Sequence, residues 1–357
     1  MSDFNRRAFI ACGIAVFSSS ALAQHRHHGP QYERLQQPGR IDLPETAQTQ
    51  WVYDSPAKKA ENQGKWIDRA PLPLPRSEMA WATEHRGKVH LVGGYGEQRV
   101  DRNYHHIYDQ QTDKWIVAAA LPQGANHVGV ATLDGKLYAL GGFIGQNHTP
   151  HGECFVYDES DKWQPVASLP KPCGAMACIA YEGRIHAIGG AVGNSFATRA
   201  SVNWHIAYDP KTNKWEERAP FYTARDHTGI VVVGGKIHLI GGRVDTFYTN
   251  SNFHHVYDGK LDKWEPRAPF PTARSGHGSV LYRGKIFCMG GEGSHRVFGQ
   301  NEAYDPVTDS WEQYAPMKTP RHGLGAVAIG DMIHVAGGGP VMGGGVQSAV
   351  HEAFTLG

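Results

Sequence analysis

The chain has 357 residues, 40% of them hydrophobic, and its 35 Lys and Arg almost balance 34 Asp and Glu for a formal net charge of +1. That length and apolar content can bury a large core, while the near-zero balance excludes a globally basic nucleic-acid binder or a protein held on acidic membranes by charge. Glycine is high at 43 residues and recurs in pairs between short β-branched runs, and long amphipathic helical patterns are missing, so many short strands are expected.

At the N-terminus, Arg6-Arg7 precedes an apolar run that ends in Ala21-Leu22-Ala23, a small-residue cleavage pattern. The run is about 14 residues long, too short to span a bilayer, so no stable membrane anchor is expected. Arg-Arg-x-Phe-Ile resembles a twin-arginine export signal. Residues 1–23 are therefore read as a signal peptide and the mature protein as periplasmic or secreted. Residues 24–60, with "HRHHGPQYERLQQPGR", are read as a flexible leader. Cys12 leaves with the signal. Cys154, Cys173, Cys178 and Cys288 form neither a zinc pattern nor a disulfide scaffold, and one disulfide among them stays open.

From residue 61 to 357 the chain repeats. "GKVHLVGG", "GKLYALGG", "GRIHAIGG", "GKIHLIGG", "GKIFCMGG" and "DMIHVAGG" place the first glycine of a pair at Gly93, Gly141, Gly189, Gly241, Gly290 and Gly337. Five of these units continue to Tyr-Asp, at Tyr108, Tyr157, Tyr208, Tyr257 and Tyr304, and then to Trp115, Trp163, Trp215, Trp264 and Trp311. Gly-Gly, Tyr-Asp and Trp in this order, at a period near 50, resemble kelch repeats. The physics agrees: each unit reads as four strands, with glycines ending the second, Tyr-Asp ending the third and the tryptophan packing on the next unit. One such sheet cannot bury both faces, so the resemblance implies an all-β, six-bladed propeller. The last unit lacks a tryptophan, and Trp66 lies on a strand with no unit before it. The strand at Trp66 is thus expected to complete the C-terminal blade and close the ring.

Between second and third strands the predicted loops are long and polar, so local function is expected on that face. At the entrances to the inner strands stand Arg76, His127, Arg225 with His227, Arg274 with His277, and Arg321 with His322. Guanidinium groups converging there suit a carboxylate, sulfate or phosphate. Three residues before each Tyr, or at the equivalent place, come His105, Cys154, His205, His254, Asn301 and His351, read as rim residues that cap strands. His90, His186, His238 and His334 alternate with Tyr138 and Phe287 and read as aromatic packing between blades. The run "GGGPVMGGG" at 337–345 lacks the ending of a phosphate loop and implies close backbone approach or flexibility.

One loop stands apart. Glu97-x3-Asp101-x3-His105 is similar to the iron-binding motif of plant specifier proteins, themselves kelch propellers, which implies Fe(II) or another divalent ion at those three residues. Galactose oxidase, a copper enzyme on a larger kelch propeller, uses two tyrosines, two histidines and a Tyr–Cys crosslink. Tyr104, Tyr248, His148, His205 and His254 supply the residue types, but Cys154 has no identifiable tyrosine partner.

The function expected is binding of a small anionic or carbohydrate-like ligand on the Arg/His-rich face. Sugar-directed catalysis such as mutarotation or epimerisation is its enzymatic form, by analogy with exported bacterial kelch proteins of the sialic-acid epimerase kind. The alternatives are a protein-interaction module, with Phe247, Tyr248, Trp204 and Phe298 as anchors, or a metal-dependent or galactose-oxidase-like enzyme using Fe or Cu.

Overall fold

A computed structural model describes residues 55–357 except 80, 147, 148, 159 and 196. The predicted signal, most of the leader and His148 lie outside the described residues. Among the described residues no helix is long and apolar enough to cross a membrane.

Short strands rich in Val, Ile and Leu pair antiparallel into six four-stranded blades. Blade 1 comprises Thr83–His85, Lys88–Val92, His105–Asp109 and Lys114–Ala118, and blades 2 to 5 repeat this order through Ser310–Tyr314. Blade 6 takes Gly325–Ile329, Met332–Ala336 and His351–Thr355 from the C-terminus. Its outer strand is Lys65–Asp68, paired so that Trp66 faces Phe354. The strand at Trp66 closes the ring, as its tryptophan implied. Lys58–Lys59, inside the stretch read as leader, adds to the edge of blade 5 as a fifth, parallel strand.

The repeat motif explains why blades hold each other. Every outer-strand tryptophan donates its indole N–H to a carbonyl at the end of the previous blade's outer strand: Trp66 to Ala315 at 2.8 Å, Trp115 to Ala70 at 2.8 Å, Trp163 to Ala119 at 2.8 Å, Trp215 to Ala167 at 2.9 Å, Trp264 to Ala219 at 2.9 Å, and Trp311 to Ala268 at 3.0 Å. In five blades an Asp or Asn takes the N–H of that same preceding residue, as Asp262 does from Ala219 at 3.0 Å. The motif tyrosine donates to that side chain, Tyr257 reaching Asp262 at 2.6 Å. A peptide's two polar groups are thus satisfied by the next blade, which locks neighbouring sheets in register.

The Gly-Gly pairs serve close approach. Gly93 and Gly94 have φ of 67° and 92°, and a Cβ there would stand 2.6 Å from the carbonyl oxygens of Ala125 and Ser77. Only glycine accepts both demands without strain. First strands of neighbouring blades pack around the axis and leave an open channel of about 420 Å³, lined by residues such as Thr132, Ile179, Val231, Ser279 and Ala328.

Candidate functional site

The top of this channel is closed by a ring of backbone. Two residues after the position occupied by Arg76, Arg225, Arg274 and Arg321, the six blades contribute Glu78, His127, Ala175, His227, Gly276 and Gly323. All six are left-handed, with φ of 52°, 52°, 56°, 55°, 62° and 56° respectively. Five of the six amides donate to the carbonyl of the one before: His127 to Glu78 at 2.9 Å, Ala175 to His127 at 3.1 Å, His227 to Ala175 at 3.4 Å, Gly276 to His227 at 3.0 Å and Gly323 to Gly276 at 2.9 Å. Glycine costs least here, yet four blades carry a side chain at the price of roughly 1 kcal/mol or more each. Gly323 is required for another reason, since a Cβ there would meet Glu78 Oε2 at 2.5 Å.

Glu78, His127 and His227 bring a carboxylate and two imidazoles together at the axis, their ligand-type atoms all within 4.8 Å of one another. Each histidine is oriented by the residue before it, since its Nδ1 bonds the side-chain oxygen of Asn126 or Asp226. Asn126 donates its amide hydrogens to Asp101 at 2.7 Å and to the Phe143 carbonyl at 3.1 Å. Its oxygen therefore faces His127, which must donate from Nδ1 and turn Nε2 toward the axis. Nε2 lies 3.0 Å from Glu78 Oε2, a contact outside hydrogen-bond angles, so Oε2 is buried without a well-directed partner.

A charged network surrounds this trio. Arg243 donates from Nε to Asp226 at 2.9 Å, from Nη1 to Glu292 at 2.8 Å and from Nη2 to His227 Nε2 at 3.1 Å. Ser201 donates to Asp226 at 2.6 Å, and the Gly343 amide, in the glycine-rich run, to Glu292 at 2.8 Å. His322 faces acceptors on both ring nitrogens, the Gly339 carbonyl at 3.0 Å and Glu78 Oε1 at 2.8 Å. It therefore carries both protons. Burial alone would lower its pKa, but the Glu292 and Glu78 carboxylates outweigh this and hold it at about 9. Glu78 is conversely held well below the usual range: burial opposes its charge, and the doubly protonated His322 beside it overcomes that. His227 is pulled down to about 4 by burial and by Arg243, against Asp226.

Above the ring, on the long-loop face, lies a cavity of about 350 Å³ lined by Glu78, Tyr95, Arg99, His127, Arg199, Arg243, Asp245, Phe247, Tyr248 and Glu292, with Gly343 and Gly344. Three guanidiniums, three carboxylates and a wall of Phe247 and Tyr248 share this space. Tyr248 is 53% exposed at the rim. The Tyr95 hydroxyl is a second buried polar atom without a well-directed partner. Such unpaired groups at the edge of a cavity suit a polar ligand.

Of the residues predicted to bind ligand, His127, His227 and His322 meet at this floor. The arginines lie elsewhere. Arg76, Arg225, Arg274 and Arg321 are fully buried and donate to carbonyls of their own blades. Arg76 bonds Gly93 at 2.9 Å, Arg225 Gly241 at 2.8 Å, Arg274 Gly290 at 2.6 Å and Arg321 Gly337 at 2.5 Å. Arg274 and Arg321 also pair with Glu302 at 2.5 Å and Glu352 at 3.1 Å. Burial pulls Arg76 and Arg225 down to about 9. Their fork satisfies carbonyls that the Gly-Gly turn frees, so none reaches the mouth. His277 is one residue past the ring position, and its Nε2 faces the Ile240 carbonyl at 3.3 Å, between blades.

Glu97, Asp101 and His105 are not brought together. Glu97 is exposed in a short turn, Glu97–Arg99. Asp101 bridges loops, accepting from Asn126 at 2.7 Å and from the Gln146 amide at 2.9 Å. His105 turns between blades, with Nε2 2.9 Å from His90 Nδ1 and its ring edge-on to Tyr157 at 4.7 Å. The same pairing recurs in His186–His205 at 2.8 Å, His238–His254 at 2.9 Å and His334–His351 at 3.0 Å. Each third-strand histidine meets the next blade's motif tyrosine edge-on. His205 and His254 are therefore packing groups, apart from Tyr248. Phe298 is buried and offers no surface anchor, and the four cysteines of the described residues are buried free thiols.

Glu78, Asp226, Arg243 and Glu292 carry no repeat signal of their own, and the inner-strand entrances reveal the axial position only in a common register. Counting two residues on from the arginine position of each blade, held by Ala125 in blade 2, aligns Glu78 with His127 and His227. The left-handed residue of each entrance is the one beside the axis, so an offset of one exchanges an axial residue for a buried one. Arg99, Arg199 and Arg243 sit on long loops, where no repeat marks them.

Comparison with known proteins agrees with the architecture. The kelch motif family matches residues 125–170 and 273–318, each beginning at the axial ring of one blade. Kelch-like protein 41a of Danio rerio is 35% identical over 97 residues, which are 27% of this chain and 15% of that protein's length. The solved structure of YjhT superposes with a TM-score of 0.66 at 16% identity, covering 80% of this chain and 95% of that one, a likeness of fold alone. Repeat motif, matched blades and ring closure together make this chain a kelch-repeat β-propeller.

Proposed function

We propose that this protein binds a small anionic, sugar-like ligand in the cavity above the axial ring. The observation that carries the reading is the lining itself. Arg99, Arg199 and Arg243 face a space whose wall is Phe247 and Tyr248 and whose floor holds the Glu78 carboxylate. Guanidiniums suit the acid group, aromatic faces suit the apolar side of a sugar ring, and a carboxylate accepts its hydroxyls. A volume of about 350 Å³ fits a monosaccharide acid better than a protein side chain. Mutarotation or epimerisation needs a group that accepts a proton, and the ionised Glu78 stands at the floor beside His127, 3.0 Å away.

Calorimetric titration with uronic and sialic-type sugar acids, against neutral sugars of equal size, checks the reading. Micromolar to millimolar binding of an acid is expected, weakened at least tenfold in Arg99→Ala/Arg199→Ala and in Tyr248→Ala. If no sugar acid binds, or these variants bind it unchanged, the ligand reading falls. Export to the periplasm is supported by Arg6-Arg7 and Ala21-Leu22-Ala23. N-terminal sequencing of the extracytoplasmic protein is expected to begin near Gln24, and a chain retained in the cytoplasm with residues 1–23 would contradict it.

A further inference from the structure

We infer that Glu78, His127 and His227 hold a single divalent transition-metal ion at the floor of the axial cavity, a site separate from the Glu97, Asp101 and His105 loop. The inference shares Glu78 and His127 with the floor of the sugar reading, but its test reads metal binding alone, so either can fail without the other. Three observations support it.

The first is orientation. Both histidines bond through Nδ1 to the oxygen of the residue before them, Asn126 or Asp226, leaving each Nε2 as an electron-pair donor toward the axis. An oxygen partner on the distal nitrogen is how proteins commonly fix metal-binding imidazoles. The second is an unsatisfied contact. His127 Nε2 and Glu78 Oε2 face each other at 3.0 Å, and Oε2 has no well-directed hydrogen bond. Two electron-pair donors in that position are relieved by a cation beside them. The third is backbone strain. Glu78, His127 and His227 keep φ of 52°, 52° and 55° at positions where blades 5 and 6 use Gly276 and Gly323. Side chains retained at left-handed positions mark a functional demand.

The donor atoms lie within 4.8 Å of one another, and three ligands about 2.1 Å from one ion stand roughly 3–3.5 Å apart. Closure thus needs side-chain shifts of about 1 Å. The ion takes the place of the Arg243 Nη2 bond to His227, 3.1 Å long, while Arg243 stays docked on Asp226 and Glu292. Two imidazoles and one carboxylate suit Zn²⁺, Fe²⁺ or Co²⁺ and leave positions open toward the cavity for water or a ligand oxygen.

The test titrates Co²⁺ and Zn²⁺ into chelator-treated full-length protein, followed by calorimetry and by the visible bands of bound Co²⁺. His25, His27 and His28 are replaced by Ala in every sample to remove metal binding by the leader. One ion per chain is expected, with visible bands of a nitrogen- and oxygen-bound site. His127→Gly and His227→Gly keep the left-handed backbone, so the fold is retained, and each is expected to abolish the bands. Asp226→Asn, which leaves the ligands in place, is expected to weaken affinity about 10–100-fold. Glu97→Ala, at the exposed turn of the other loop, is expected to leave binding unchanged. Absence of stoichiometric binding at millimolar metal, or binding that survives His127→Gly and His227→Gly, overturns the assignment.

Discussion

Acidification from pH 7 to pH 5 is expected to unfold the propeller cooperatively, with uptake of several protons per molecule. Eight histidines sit as the four buried pairs His90–His105, His186–His205, His238–His254 and His334–His351. In three pairs the third-strand ring donates from Nδ1 to a carbonyl just past its own blade's outer strand, His205 to Ala219 at 3.3 Å, His254 to Ala268 at 3.2 Å and His351 to Ala70 at 3.1 Å. Its Nε2 then accepts from the second-strand histidine, so a proton added to the third-strand ring breaks that bond. Burial lowers all eight, His90 to about 2, His105 and His351 to about 3, His186, His238 and His334 to about 4, and His205 and His254 well below the ordinary value.

The unfolded chain protonates these histidines near pH 6.5, whereas the folded chain does so only at the lower values. Stability is complete above about pH 6.5 and lost as pH falls below it, by up to about 1.4 kcal/mol per pH unit for each group. Even half of that sum rivals a typical net stability of about 5–15 kcal/mol within two pH units. His322 has the opposite sign, its contribution being present at low pH and lost above about 9. Urea midpoints between pH 5 and 8, read by tryptophan fluorescence, measure the effect. Replacing one pair by blade 5's own solution, as in His186→Phe with His205→Asn, is expected to reduce the uptake by about two protons. A midpoint that is flat from pH 7 to pH 5 would refute this account.

Arg274→Ala is expected to cost about 3–5 kcal/mol and to lower Tm by about 10 °C, with no selective effect on ligand. Arg274 and Glu302 are both fully buried. The guanidinium also donates to the carbonyls of Gly290 at 2.6 Å, Thr272 at 3.0 Å and Cys288 at 3.0 Å. Removing it strands the Glu302 carboxylate with Thr272 as its remaining partner, at 2.6 Å. Arg274→Met with Glu302→Gln is expected to recover part of the loss, because the uncompensated charge is gone. Arg99→Ala, on the cavity, should do the reverse and weaken ligand with little change in Tm. Thermal melts beside ligand titrations separate the two classes, and an Arg274→Ala protein as stable as the parent would return that arginine to the candidate site.

Blade number, strand order and ring closure could be read from the chain because they rest on local signals repeated at a fixed period. Gly-Gly marks a close approach, Tyr-Asp a turn, Trp an interblade surface, and the unmatched Trp66 the closing strand. Those demands act between neighbours in sequence or in the next repeat. The destinations of Arg and His were settled by packing. An arginine beside a Gly-Gly turn finds bare carbonyls within its own blade and bonds them, whatever the residue type suggests about anions. His105 faces a tyrosine of the next blade, so it leaves Glu97 and Asp101 although the spacing joins them. Glu78, His127 and His227, scattered over 150 positions, meet only because six inner strands converge on one axis and the left-handed ring turns their side chains inward. The repeat determined the scaffold, whereas convergence at its axis, a property of the closed ring, decided where chemistry is possible.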